Sequence, residues 1–120
     1  MKEACGTAHM KAILSVGELG TMENVYKASM VCMQAGSDFI KTSTGKEAVN
    51  ATLPGMFLPE LIFYNAYIVG LVMVRAIREY LKRTGIKVGF KPAGGIRTAK
   101  DSLAWLSLMK EELGTEWTKV

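Results

Sequence analysis

The chain has 120 residues, enough for one domain with a modest core. Hydrophobic residues make up 49% and charged residues 22%, with 12 Gly and 3 Pro and no Gly period, which excludes a disordered, collagen-like or Pro-rich chain. Fifteen Lys and Arg against 11 Asp and Glu leave a net +4, but the bases are scattered; without a basic stripe the excess suits a small anion and argues against a nucleic-acid partner.

Taken in chain order, Lys11–Val16 is a short apolar run closed by Gly17 and is expected to be a buried strand. Thr21–Gln34 has helical spacing, with Val25, Ala28, Ser29, Cys32 and Met33 on one face and Gly36 placed to end the helix. Asp38–Ser43 is a second strand, its alternation putting Phe39, Lys41 and Ser43 on one face and Ile40 and Thr42 on the other. A second helix is expected over Val69–Arg83, closed by Gly85. Lys87–Lys91 is a third strand, and Thr98-x-x-Asp101 opens a third helix as a capping box, ended by Gly114. Alternating strands and helices imply a parallel sheet whose strands are buried on both faces.

Leu53–Val74 breaks the rhythm, being almost wholly apolar with Glu60 its one charge. Its length approaches a membrane span, but Pro54, Pro59, Glu60, Asn65 and Gly70 argue against one. The first residues lack the apolar core of a signal peptide, so the expected location is the cytoplasm. Cys5 and Cys32 form no C-x-x-C pair, and the single His, His9, cannot complete a metal site with them; reduced thiols and no metal are expected.

Two lysines carry the chemistry. Lys41 lies inside an apolar strand, where a lysine is rare unless it is paired, functional or at an edge that reaches water. Lys91 ends the third strand and enters a Pro-Ala-Gly-Gly turn. If the two strands are neighbours, both ammonium groups converge at the carboxyl-terminal rim, where parallel α/β folds place their sites. A second positive charge and the loss of water both favour a lysine's neutral amine, a nucleophile that condenses with carbonyls. Gly94-Gly95, before a helix N-terminus, and Thr44-Gly45-Lys46 suit phosphate. The alternative for each Gly turn is a plain tight turn. Together the features describe an anionic carbonyl substrate.

Asp38-Phe-Ile-Lys-Thr-Ser-Thr-Gly-Lys46 and Val88-Gly-Phe-Lys-Pro-Ala-Gly-Gly-Ile-Arg97 resemble the two signature segments of the deoxyribose-phosphate aldolase family, which are class I aldolases. Gly17-Glu-Leu-Gly20, Val49-Asn-Ala-Thr52 and Lys100-Asp-Ser-Leu-Ala-Trp105 resemble it too, in the right order. The resemblance implies an α/β fold that is part of a (β/α)8 TIM barrel, with about three strand–helix units similar to its fifth to seventh strands. It implies reversible cleavage of 2-deoxy-D-ribose 5-phosphate to acetaldehyde and D-glyceraldehyde 3-phosphate, in deoxyribonucleotide catabolism. Lys41 would be the Schiff-base lysine and Lys91 the neighbour that tunes it. Thr44, Gly45, Lys46, Gly94 and Gly95 would bind substrate and phosphate, with no cofactor.

The sequence departs from the family pattern in three ways. The resemblance extends to about half of the family's length, no residue matches the proton-relay aspartate of an early strand, and residues 55–69 read as an apolar insertion within a single domain, 1–120. A parallel sheet of three strands leaves raw edges, so the chain is expected to be marginally stable alone. The alternative function is therefore a truncated, non-catalytic chain that works only through association, as a homo-oligomer or with full-length aldolase subunits.

Overall fold

The computed structural model describes residues 1–45, 59–93 and 96–118, and the side chains of all of these except 59–65. Three short strands, β1 (Lys11–Ile13), β2 (Phe39–Lys41) and β3 (Gly89–Lys91), form one parallel sheet in that spatial order. Three helices alternate with them: α1 (Met22–Gln34), α2 (Pro59–Thr84) and α3 (Ala99–Leu113). This is the expected α/β alternation, with strands cut back to three residues each. The chain leaves β1 through a helical turn at Val16–Glu18, and the ladder runs one residue past the strands, with the Leu14 N–H on the Lys41 carbonyl and the Thr42 N–H on the Lys91 carbonyl.

Local chemistry sets the helix ends. Thr21 caps α1, its hydroxyl accepting from the Asn24 N–H at 3.1 Å. Thr98 and Asp101 form a reciprocal capping box on α3, each side chain accepting the other's N–H at 3.1 and 3.0 Å. The Arg97 N–H, together with the hydroxyl and the N–H of Thr98, holds the Asp101 carboxyl below the usual carboxylate range.

The long helix differs from the sequence expectation. α2 starts at Pro59, ten residues before Val69, so residues 59–69 of the apolar run 55–69 are helical backbone continuous with the expected helix. Proline at the first helical position suits this start, because its missing N–H has no intrahelical acceptor there. Residues 55–58 lie outside the described residues. Among the described residues no helix is long and apolar enough to cross a membrane.

α2 packs between α1 and α3. Its Val69, Met73, Val74, Ala76 and Ile77 join Val25 and Met33 of α1, Ile40 of β2, and Trp105 and Leu108 of α3 in one buried core. The Tyr80 hydroxyl donates to the Met33 carbonyl at 3.2 Å, and the Tyr26 hydroxyl donates to Glu79 at 2.7 Å, which fixes α1 against α2 at two points. Glu112 of α3 receives Arg75 and Arg78 of α2 at 3.2 and 2.6 Å. Gly70 lets the indole of Trp105 approach the α2 backbone so closely that a Cβ would overlap it.

The sheet is covered on one face. Ala12, Ile40 and Phe90 are paired across the strands and face the helices, Ile40 being fully buried. Lys11, Phe39 and Gly89 make one row of the opposite face; Ile13, Lys41 and Lys91 make the next. Ile13 is 46% exposed and both Lys11 and Lys91 are exposed, so this face is open to solvent among the described residues. Burial on both faces, expected from the parallel topology, is not observed.

Candidate active site

Both ends of β2 are built by side chains of its own segment. At the amino end, Asp38 accepts the Met10 N–H at 2.7 Å and the Lys2 ammonium at 2.5 Å, with His9 Nδ1 at 3.8 Å. The Lys2 and Met10 hydrogen bonds hold its carboxyl below the usual range. They tie residues 2–10 to the rim away from the lysines, so Asp38 is a structural anchor.

The carboxyl end of β2 carries the candidate site. Lys41 sits on the central strand rather than at an edge, and its Cα pairs with Ile13 on one side and Lys91 on the other. The consecutive strands therefore place the two lysines opposite each other on adjacent strands. Because Ile40 points into the helix layer, alternation turns Lys41 and Phe39 to the open face. Lys41 is half-buried and Lys91 exposed, which corrects the expectation of a fully buried Lys41. Water reaches it because the sheet face is open.

Phe39 forms the floor beside the lysines. Its ring lies across Gly89, where any Cβ would overlap it. The Lys11 ammonium stands 5.3 Å from the ring centroid and His9 meets its edge at 6.0 Å. Lys11 is a third cation on this face that the sequence did not single out; its signal is register, because it pairs with Phe39, two residues before Lys41.

Beyond Lys41 the strand ends are laced together. The Leu14 N–H donates to the Lys41 carbonyl at 2.9 Å and the Val16 N–H to the Thr42 carbonyl at 3.0 Å. The Thr42 N–H donates to the Lys91 carbonyl at 3.3 Å. The hydroxyls of Thr42 and Ser43, both buried, reach Ala93 across 51 and 50 residues of sequence. The sequence pattern gave neither hydroxyl a role, and it placed Ser43 on the Lys41 face. Thr44 and Gly45 follow, both exposed, with Gly45 at φ 86° and no atom of the described residues within 4 Å of where its Cβ would be, a backbone suited to approach by a ligand. Lys46, Gly94 and Gly95, the other expected phosphate contacts, lie outside the described residues. Among the described residues no three His, Cys, Asp or Glu side chains cluster as a metal site. Cys5 and Cys32 are free thiols, and burial pushes the Cys32 thiol up, away from the reactive thiolate.

The arrangement is thus a pair of amines at the carboxyl rim of a parallel sheet, on an open face with an aromatic floor. One amine can condense with a carbonyl while the second charge stands beside it.

Comparison with known proteins points to one family. Residues 1–57 match the family described as DeoC/LacD family aldolase. The chain is 64% identical over 118 residues to deoxyribose-phosphate aldolase of Homo sapiens, covering 98% of this chain and 33% of that protein. It is 64% identical over 118 residues to deoxyribose-phosphate aldolase of Bos taurus and 65% identical over 116 residues to that of Mus musculus, covering 33% and 32% of those proteins. The chain thus spans about a third of the length of the curated relatives it matches, less than the half expected from the sequence.

Proposed function

The chain belongs to the DeoC/LacD aldolase family, and from that premise we propose that it supplies the imine-forming segment of a deoxyribose-phosphate aldolase. The observation that carries this reading is the pairing of Lys41 with Lys91 across β2 and β3. In the reaction, the Lys41 amine attacks the aldehyde carbon of 2-deoxy-D-ribose 5-phosphate, and loss of water leaves an iminium. A base takes the proton of the hydroxyl on the third carbon. The bond between the second and third carbons breaks, and its electron pair moves toward the iminium nitrogen as an enamine. D-Glyceraldehyde 3-phosphate leaves; protonation of the enamine and hydrolysis then release acetaldehyde and regenerate the amine. Each step is reversible.

Lys91 has the role of the neighbouring cation, opposite Lys41 on the adjacent strand. Thr44, Gly45, Lys46, Gly94 and Gly95 are assigned to the phosphate and the sugar hydroxyls. The natural setting is the cytoplasm, in deoxyribonucleotide catabolism, and residues 55–69 are an apolar insertion into the family pattern.

The open sheet face favours a second reading. Ile13, nearly half exposed beside Lys41, suits contact with another chain, either a copy of this one or a full-length aldolase subunit.

Intact-mass analysis after incubation with deoxyribose 5-phosphate and sodium borohydride tests the first reading. A reduced adduct that maps to Lys41 and is missing from Lys41→Leu is expected. Folded protein that gives no adduct refutes it. A stable oligomer by light scattering, without adduct or turnover, establishes the second reading instead.

A further inference from the structure

The β2–β3 ladder changes character at Thr42. Up to that residue the backbone pairs evenly, ending with the Thr42 N–H on the Lys91 carbonyl. In a continuing parallel ladder the Thr42 carbonyl would next accept the Ala93 N–H. That carbonyl is instead engaged by the Val16 N–H on the β1 side. Pro92 has no N–H to offer in compensation. The Thr42 side chain fills the gap. Its hydroxyl accepts the Ala93 N–H at 2.9 Å and returns its own proton to the Ala93 carbonyl at 3.3 Å. Ser43 also reaches the Ala93 carbonyl at 3.3 Å, but the Ala93 N–H is bonded by Thr42.

We propose that Thr42 is a positioning residue for the imine chemistry of Lys41. Its buried hydroxyl takes over the hydrogen bonds of the sheet where the backbone abandons them, and so locks the end of β3 onto β2. Lys91 makes the last backbone bond, and the side-chain clamp follows two residues later at Ala93. With the clamp in place the Lys91 backbone cannot peel from β2, and its ammonium stays beside Lys41. The inference rests on the reading of Lys41 as the imine lysine, but the clamp itself has an independent observable in the Ala93 amide.

The test compares the parent chain with Thr42→Val, which removes the hydroxyl at nearly constant shape, and Thr42→Ser, which keeps it. Amide hydrogen exchange at Ala93 reports the clamp. Acetaldehyde with borohydride, followed by peptide mass analysis, reports adduct at Lys41 relative to the exposed Lys110 of the same molecule. In Thr42→Val the exchange at Ala93 rises and the Lys41 to Lys110 adduct ratio falls by about five- to tenfold, the scale of one lost hydrogen bond. Amides of the core, such as Val25 and Met73, keep their protection, and Thr42→Ser restores both readouts. Unchanged exchange at Ala93 overturns the clamp. Faster exchange at Ala93 with an unchanged adduct ratio overturns its role in positioning, and a general rise across the core reduces Thr42 to a stability residue. A parent chain with no excess of adduct at Lys41 refutes the aldolase reading and the role of Thr42 in it, while Ala93 exchange still decides whether the clamp exists. Should Thr42→Val fail to fold, Thr42→Cys, a weaker donor and acceptor, is expected to give the same two changes at smaller size.

Discussion

Gly70→Ala is expected to destabilise the fold, against the usual sign for that substitution in a helix. Alanine in a helix interior is favoured over glycine by about 0.8–1.0 kcal/mol. Here the new methyl would overlap the indole of Trp105, meeting its Cη2 atom at 2.9 Å and the Phe90 ring at 3.4 Å. The indole is 6% exposed and stands between Tyr67 and Phe90, each with ring centroids 5.9 Å away; it lines a cavity of about 340 Å³ with Leu106 and Met109, but moving into it would give up these ring contacts. Overpacking a closed core costs typically about 1–3 kcal/mol, with the upper end fitting a rigid aromatic neighbour. Subtracting the propensity gain leaves a net loss of about 1–2 kcal/mol, or about 3–8 °C in Tm for a domain of this size. Urea denaturation followed by circular dichroism measures it. The same substitution on a Trp105→Leu background removes the obstacle, and there Gly70→Ala should become neutral or stabilising. A Gly70→Ala chain as stable as the parent, or the same loss on both backgrounds, would refute the packing argument.

Three further outcomes follow from individual contacts. Thr98→Ala removes the hydroxyl half of the α3 capping box and should cost about 1 kcal/mol in chemical denaturation. Tyr80→Phe removes one donor from the Met33 carbonyl, which keeps the Gly36 N–H at 3.0 Å, and should cost about 0.5–1 kcal/mol, with little change in the m-value. Asp38 governs part of the acid response: its carboxyl is held below its unfolded value by Lys2 and the Met10 N–H, so its contribution is complete above the ordinary carboxylate range and is lost as pH falls through that range and below. A pH series of urea midpoints should therefore decline on acidification, and Asp38→Asn should flatten the decline; an unchanged slope would show that the N-terminal anchor contributes nothing through this charge.

The sequence alone determined the order of elements and singled out the lysines of the candidate site. Apolar periodicity, the Thr21 and Thr98 caps and the glycines at 36, 85 and 114 are local signals, because each depends on hydrogen bonds or φ values within a few residues, and the helices stop where they indicate. The start of α2 was missed, since an apolar run of residues carries no period from which to choose a boundary. Lys41 and Lys91 were legible because a charged residue closing an apolar strand is conspicuous wherever the strand ends up. Tertiary structure decided what depends on strands meeting across long stretches of chain. Register set Lys41 opposite Lys91 and spread Phe39 over Gly89. The one-sided helix layer left Lys41 half in water instead of buried. The Thr42 hydroxyl found Ala93, 51 residues away. No local pattern encodes these contacts, because the residues involved become neighbours only when the helices have packed and the sheet has closed its ladder.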